Sequence, residues 1–197
     1  MIRTYHFALM LAAAACVAAR PACAWQLESA QVQLNNTFNT PTATRVNFRQ
    51  TYDTVPVVVG LMNQRGGDPS ALRVHNVSTT GFDVMQVEPT DNDGPHLDVT
   101  VHYVAVQPGD HVLPDGTRVS AGRIDTTDVQ FGNGVTGVES WDRISFGERF
   151  AAAPVVLAAV QTLRNESNNP PGNPSQPWLT VALQNAATGG VDVALER

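Results

Sequence analysis

The sequence predicts an all-β protein: a six-stranded antiparallel β-sandwich followed by a second, partial sandwich module. Three observations predict it. Short apolar runs, some alternating and some continuous, recur along the chain with no helical period. Clusters of Gly, Pro, Asn and Asp punctuate these runs. Finally, one stretch occurs twice. Val46, Phe48, Tyr52 and Pro56-Val57-Val58 return as Ile144, Phe146, Phe150 and Pro154-Val155-Val156, at a constant offset of 98 residues (Phe48 to Phe146, Pro56 to Pro154). A second echo follows, Asn76-Val77-Ser78-Thr79-Thr80-Gly81-Phe82-Asp83-Val84 returning as Asn185-Ala186-Ala187-Thr188-Gly189-Gly190-Val191-Asp192-Val193 at an offset of 109. Eleven extra residues therefore separate the echoes in the second copy. A repeat of this length marks two tandem modules, since solenoid units run about 20–50 residues.

The first 24 residues read as a leader rather than as fold. Arg3 supplies a positive start, Phe7–Ala19 an apolar core, and Ala22-Cys23-Ala24 a small-x-small cleavage site. The apolar run is shorter than the roughly 20 residues a membrane span needs, so no membrane span is expected. Export to the periplasm or the exterior follows, with cleavage near Ala24. Both cysteines, Cys16 and Cys23, leave with the leader, so disulfides do not staple the remainder.

Strands then follow in order. Gln31–Leu34 alternates, as does Val46–Phe48, and Val55–Met62 is a continuous run suited to a strand buried on both faces. Ala71–Val77 and Phe82–Val87 flank the Ser78-Thr79-Thr80-Gly81 turn. In Leu97–Val106, Leu97, Val99, Val101 and Tyr103 face one way, and Asp98, Thr100 and His102 the other. These six strands make a first module over residues 25–107, and residues 108–118, rich in breakers, read as a linker. The second module, 119–197, starts where Ser120-Ala121-Gly122-Arg123-Ile124 echoes Ser29-Ala30-Gln31-Val32. It repeats the first four strands, ends just after the fifth, and holds an Asn/Pro-rich loop in Arg164–Pro177. A counterpart of Leu97–Val106 is missing from it.

Charge narrows the function. The net charge is −6, about −8 once Arg3 and Arg20 leave, and all twelve basic residues are arginine. Nucleic acid and anionic membrane surfaces are disfavoured as partners. Catalytic chemistry finds no foothold: Gly-x-Ser-x-Gly and His-Glu-x-x-His are absent, and the carboxylates scatter over turns. Gly132-Asn133-Gly134-Val135-Thr136-Gly137 is a literal GxGxxG, but no βαβ unit surrounds it, so it reads as a loop. Asp91-Asn92-Asp93-Gly94 lacks the rest of an EF-hand and reads as an acidic turn. His75 and His102 lie on strands and could share a face, but zinc needs three or four ligands. No cofactor, metal site or catalytic residue is therefore expected.

The strand and turn motifs together resemble the H-type lectin family, which includes snail agglutinins and the C-terminal domain of discoidins. The matching residues are Phe48, Tyr52, Pro56-Val57-Val58-Val59-Gly60-Leu61, Leu72-Arg73-Val74, Asn76–Phe82 and Val99–Val106. The resemblance covers about residues 28–106 and, more weakly, 119–197. It implies a sandwich that assembles as a trimer and binds N-acetylgalactosamine or a related sugar. It also implies that Arg73, in the place of the family's fourth-strand arginine, holds the glycan, and a guanidinium fork suits vicinal hydroxyls or an acidic sugar. The Trp-His pair that the agglutinins place after Gly-Phe falls here on Pro89 and Thr90, and Asn35–Thr44 contains no acidic residue. Trp178, beside the Asn/Pro loop, is a second candidate for stacking on a sugar, although core packing is the commoner fate of such a side chain. The expected function is thus an exported, non-enzymatic, lectin-like binding or adhesion protein that forms homo-oligomers. The alternative is a structural module for oligomerisation and surface assembly without sugar.

Overall fold

The computed structural model describes residues 25–35, 42–63, 70–87, 97–130, 140–147, 150–164 and 179–196. Among them the protein is all-β, with twelve strands and no helix. The first six strands are β1 (Leu27–Leu34), β2 (Thr44–Asn47), β3 (Val57–Met62), β4 (Ala71–His75), β5 (Gly81–Val87) and β6 (Val99–Val106). They form two three-stranded antiparallel sheets, ordered β1-β6-β3 and β2-β5-β4.

Alternation puts the core between these sheets. On β6, Val99, Val101, Tyr103 and Ala105 point inward and are at most 4% exposed. They meet Val46, Val74, Phe82 and Val84 of the facing sheet, with Leu34 and Val58 alongside. Burial of each such valine is worth roughly 1.5–3 kcal/mol, so the centre of β6 holds the module together. The rings of Phe82 and Tyr103 meet edge-on at 5.0 Å, and Phe48 packs on both Tyr52 and Phe82. Tyr52 also donates its hydroxyl to the carbonyl of Ala105 at 3.0 Å, tying the loop before β3 to the central strand.

Two details differ from the sequence expectation. Leu97 precedes β6 and is 50% exposed, so the inward row begins at Val99. The Val55–Met62 run is not buried on both faces: Val58 is fully buried, but Leu61 is 61% exposed. The strand starts only after Pro56, and Leu61 lies on the outer face of the sheet, abreast of the exposed Gln31 and His102, where no second layer covers it among the described residues.

The linker also contains structure. Strands β7 (Gly109–Val112) and β8 (Arg118–Ala121) form a hairpin. Its turn closes through Leu113 N–H to Thr117 O (2.8 Å) and Gly116 N–H to Leu113 O (2.9 Å), with Gly116 at φ 88°. The Pro-Asp-Gly breakers thus make a turn between strands rather than a spacer. At the module junction Trp25 stacks on His111, with ring centroids 4.5 Å apart.

The second half repeats part of the first. Strands β10 (Asp142–Ser145), β12 (Gly190–Glu196) and β11 (Thr180–Ala187) pair antiparallel in that order, and β9 (Val129–Gln130) adds in parallel to β12. They correspond to β2, β5 and β4. The aromatic motif docks on the adjacent turn in the same way in both halves. Phe48 N–H and Tyr52 N–H donate to Thr80 O and Thr79 O, each at 2.9 Å. Phe146 N–H and Phe150 N–H donate to Gly189 O and Thr188 O at 3.1 and 2.9 Å. The expected repeat of four strands plus a fifth needs correction, however. The counterpart of β1 is drawn into the β7–β8 hairpin, and Pro154–Leu163, the counterpart of β3, joins no ladder among the described residues. In the first module β1 and β3 pair only with β6; among the described residues of the second half the counterpart of β1 pairs with β7 instead, and Pro154–Leu163 pairs with no strand.

Candidate functional site

Surface polarity, burial and cavity shape single out three arrangements. The first is a pair of twin polar clusters. Arg45, just before the inward Val46 of β2, donates to Asp83 Oδ1 (3.2 Å), Asn76 O (3.3 Å) and Ser78 Oγ (3.2 Å). Asn76 donates its side-chain amide to Asp83 Oδ2 at 2.8 Å. In the second half Arg143 donates to Asp192 Oδ1 (2.9 Å) and Asn185 O (3.2 Å), and Asn185 donates to Asp192 Oδ2 (2.7 Å). Both asparagines sit in the left-handed region, at φ 48° and 51°, which asparagine tolerates better than most side chains. At Asp83, burial works to raise the pKa, but the Asn76 hydrogen bond and the Arg45 guanidinium outweigh it and hold the carboxyl below its usual value. The Asn185 hydrogen bond, then Arg143, lower that of Asp192. Since both oxygens of each carboxylate are engaged, these clusters fasten the turn before β5 and β12 rather than offer a ligand a free acceptor. Both echoes of the repeat contained the Asn and the Asp, and an arginine precedes the β-branched residue in each copy, so the signal was present in the sequence.

The second arrangement is buried. Glu28 occupies an inward position of β1 and is 6% exposed. It accepts hydrogen bonds from the Tyr103 hydroxyl and from Arg49 N–H, both at 2.9 Å. Burial, together with the nearby carboxylate, raises both Tyr52 and Tyr103 to about 12. Sequence reading missed this cluster, although an acidic residue in phase with Ala30 and Val32 was its visible mark.

The third is an open groove of about 440 Å³ over the outer face of the β1-β6-β3 sheet. Register places its floor. Gln31, His102 and Leu61 lie abreast on the three strands, and Ser29, Val104 and Val59 form the next row. Arg49 and Leu157 also line it. The β1 side is therefore polar and the β3 side apolar, with an exposed imidazole between them. Such a strip can take hydroxyls along one edge and C–H groups along the other.

The candidates from the sequence fall elsewhere. Arg73 lies on β4 and is 1% exposed, with Nη1 donating to the carbonyl of Leu72 at 3.1 Å. It lines neither the groove nor the small cavity beside the β7–β8 hairpin. Its place in the strand register opposite Met85 is on the face turned away from the sandwich core. Trp178, the Gly132–Gly137 segment and the Asp91–Gly94 turn lie outside the described residues. His75 and His102 belong to opposite sheets and share no face. Among the described residues no group of three or more His, Cys, Asp or Glu converges on a metal position. No helix among them is long and apolar enough to cross a membrane. No family model, curated protein or solved structure matches the chain.

Proposed function

We propose that this chain is an exported, non-catalytic, lectin-like binding or adhesion protein whose glycan site is the groove on the β1-β6-β3 face. The observation that carries this reading is the division of the groove floor into a polar edge, Ser29 and Gln31, and an apolar edge, Val59 and Leu61, across His102. A sugar ring has the same division between hydroxyl edge and C–H face. The resemblance to H-type lectins supports the class of ligand, an N-acetylgalactosamine-type or acidic sugar, and a homo-oligomeric state. The burial of Arg73 favours the groove over that arginine as the place of contact.

A glycan array on the chain from Trp25 onward tests the class of ligand. For any glycan that binds, Gln31→Ala and His102→Ala are each expected to weaken affinity about tenfold, the worth of one or two lost hydrogen bonds. Both side chains are exposed, so neither change disturbs the core. A bound glycan indifferent to both substitutions moves the site away from the groove. An array without any binder favours the other reading, an assembly module, for which the exposed Val155 and Leu157 speak.

A further inference from the structure

The groove over the β1-β6-β3 face carries a cation that has no counter-charge among the described residues. Elsewhere the arginines are committed. Arg45, Arg143 and Arg164 donate to Asp83, Asp192 and Asp125, and Arg123 donates to the carbonyls of Val55 and Pro56. Arg49 differs. Its backbone N–H donates to the Glu28 carboxylate at 2.9 Å, but its guanidinium makes no hydrogen bond or ion pair among the described residues. That backbone bond starts the side chain near Ser29, the residue after Glu28, and Arg49 is exposed where it lines the groove. The guanidinium is close enough to Tyr103 to oppose the upward shift that burial and then Glu28 impose on that hydroxyl. No acidic side chain lines the groove, although the chain as a whole has a net charge of −6. Glu28 itself faces inward, 6% exposed, with its oxygens taken by the Tyr103 hydroxyl and Arg49 N–H.

We infer that the groove takes a sugar bearing an anionic substituent, a carboxylate or a sulfate ester, and that Arg49 is the residue that selects it. This rests on the groove reading above and narrows its ligand. A guanidinium presents its N–H donors in a planar fork that matches two oxygens of one anionic group. The rest of the sugar then meets Gln31 and His102 on its hydroxyls, and Leu61 and Leu157 on its C–H groups. Leu157 belongs to the second half of the chain, which is fastened to β3 nearby: Gln161 accepts Val58 N–H on its side-chain carbonyl at 3.1 Å. The groove therefore has one wall from each half. Charge complementarity is what favours the anionic ligand. A neutral sugar gains nothing from the charge of Arg49, whereas an anion approaching an acidic protein is attracted only where a cation stands without a carboxylate beside it.

The test is an array of matched glycans, each anionic member beside its neutral parent: a uronate beside its methyl ester, a sialylated chain beside the asialo chain, and a sulfated sugar beside the unsulfated one. The chain from Trp25 to Arg197 should bind an anionic member at least about tenfold more tightly than its parent, the worth of one charge-assisted contact. The pairs that show this preference separate carboxylate from sulfate. Arg49→Ala should abolish the preference and leave affinity for the parent unchanged. Arg49→Lys, which keeps the charge and loses the fork, should retain part of it. Arg164→Ala, which removes an exposed arginine outside the groove lining, should leave the preference intact. Arg49→Ala keeps the backbone N–H that Glu28 accepts, so its near-ultraviolet circular dichroism should match wild type. A neutral parent bound as tightly as its anionic partner and weakened by Gln31→Ala overturns this inference while the groove remains the site. A preference that survives Arg49→Ala overturns it likewise. Binding of no glycan at all overturns the groove reading and this inference together.

Discussion

Tyr52 and Tyr103 are the only tyrosines after the leader, and burial raises both to about 12. An unfolded tyrosine ionises near pH 10. Between these values the unfolded chain has lost protons that the folded chain retains, so stability is full below about pH 10 and falls as pH rises toward 12. Absorbance of phenolate at 295 nm should therefore appear well above pH 10 and coincide with loss of circular dichroism; a smooth titration near 10 in folded protein contradicts it. The aspartates of the twin clusters work in the opposite sense. The depressed pKa values of Asp83 and Asp192 contribute stability above the usual carboxylate range, and it is lost as pH falls through the folded values. Asn76 joins backbone strain to this cluster. Asn76→Ala loses both the hydrogen bond to Asp83 and tolerance of φ 48°, about 2 kcal/mol, whereas Asn76→Gly keeps the backbone and loses about 1 kcal/mol. Thermal unfolding should rank them in that order, and equal losses would mean that the backbone conformation contributes nothing. Little of this was legible beforehand. Alternation assigned Val99, Val101 and Tyr103 to the core, because period-two patterning reports which side chains face inward. It could not show that Glu28 would be buried against Tyr103, since that partnership spans 75 residues.

Among the elements, β5 and β12 make the closest approaches. Gly81 and Gly190 occupy the same place in the two echoes, and a Cβ on either would meet backbone: the carbonyl oxygen of Val46 for Gly81, that of Ile144 for Gly190. A carbonyl within a ladder cannot rotate aside as a side-chain tip can. Gly81→Ala is therefore expected to cost about 1–3 kcal/mol by separating β2 from β5. Gly190→Ala should loosen β10 from β12 in the same way, and stability equal to wild type in both variants would show that the strands can part without loss. The sequence marked these positions because both echoes carry Gly between a turn and an apolar strand. It marked turns less well than it marked repeats. The Pro-Asp-Gly cluster after Leu113 reads equally as a linker or as the tip of a hairpin, and only the pairing of β7 with β8 distinguishes them. Strand boundaries moved for a similar reason. Pro56 and Leu97 belong to apolar runs, but one lacks an amide and the other precedes the residues opposite β1, so neither enters a ladder.

At the scale of the whole molecule, the two halves should differ in how firmly they hold their amides. The first module has two layers and a central strand paired on both sides, whereas beside β10, β12 and β11 the counterpart of β3, Pro154–Leu163, joins no ladder among the described residues. Cover is nonetheless partial: Val191 and Val193 remain 2% and 7% exposed, so the inner face of β12 is not open to water. What Pro154–Leu163 lacks among the described residues is a backbone ladder. A segment without a ladder opens locally at small cost, while a central strand opens only with the whole domain. In a dilute sample, amides of β5 and β6 should thus exchange slowest, those of β12 faster, and those of Val155–Val160 at least about a hundredfold faster than Val57–Met62 despite the shared motif. Equal protection of the two Pro-Val-Val segments would show that Pro154–Leu163 is held as firmly as the paired strand Val57–Met62.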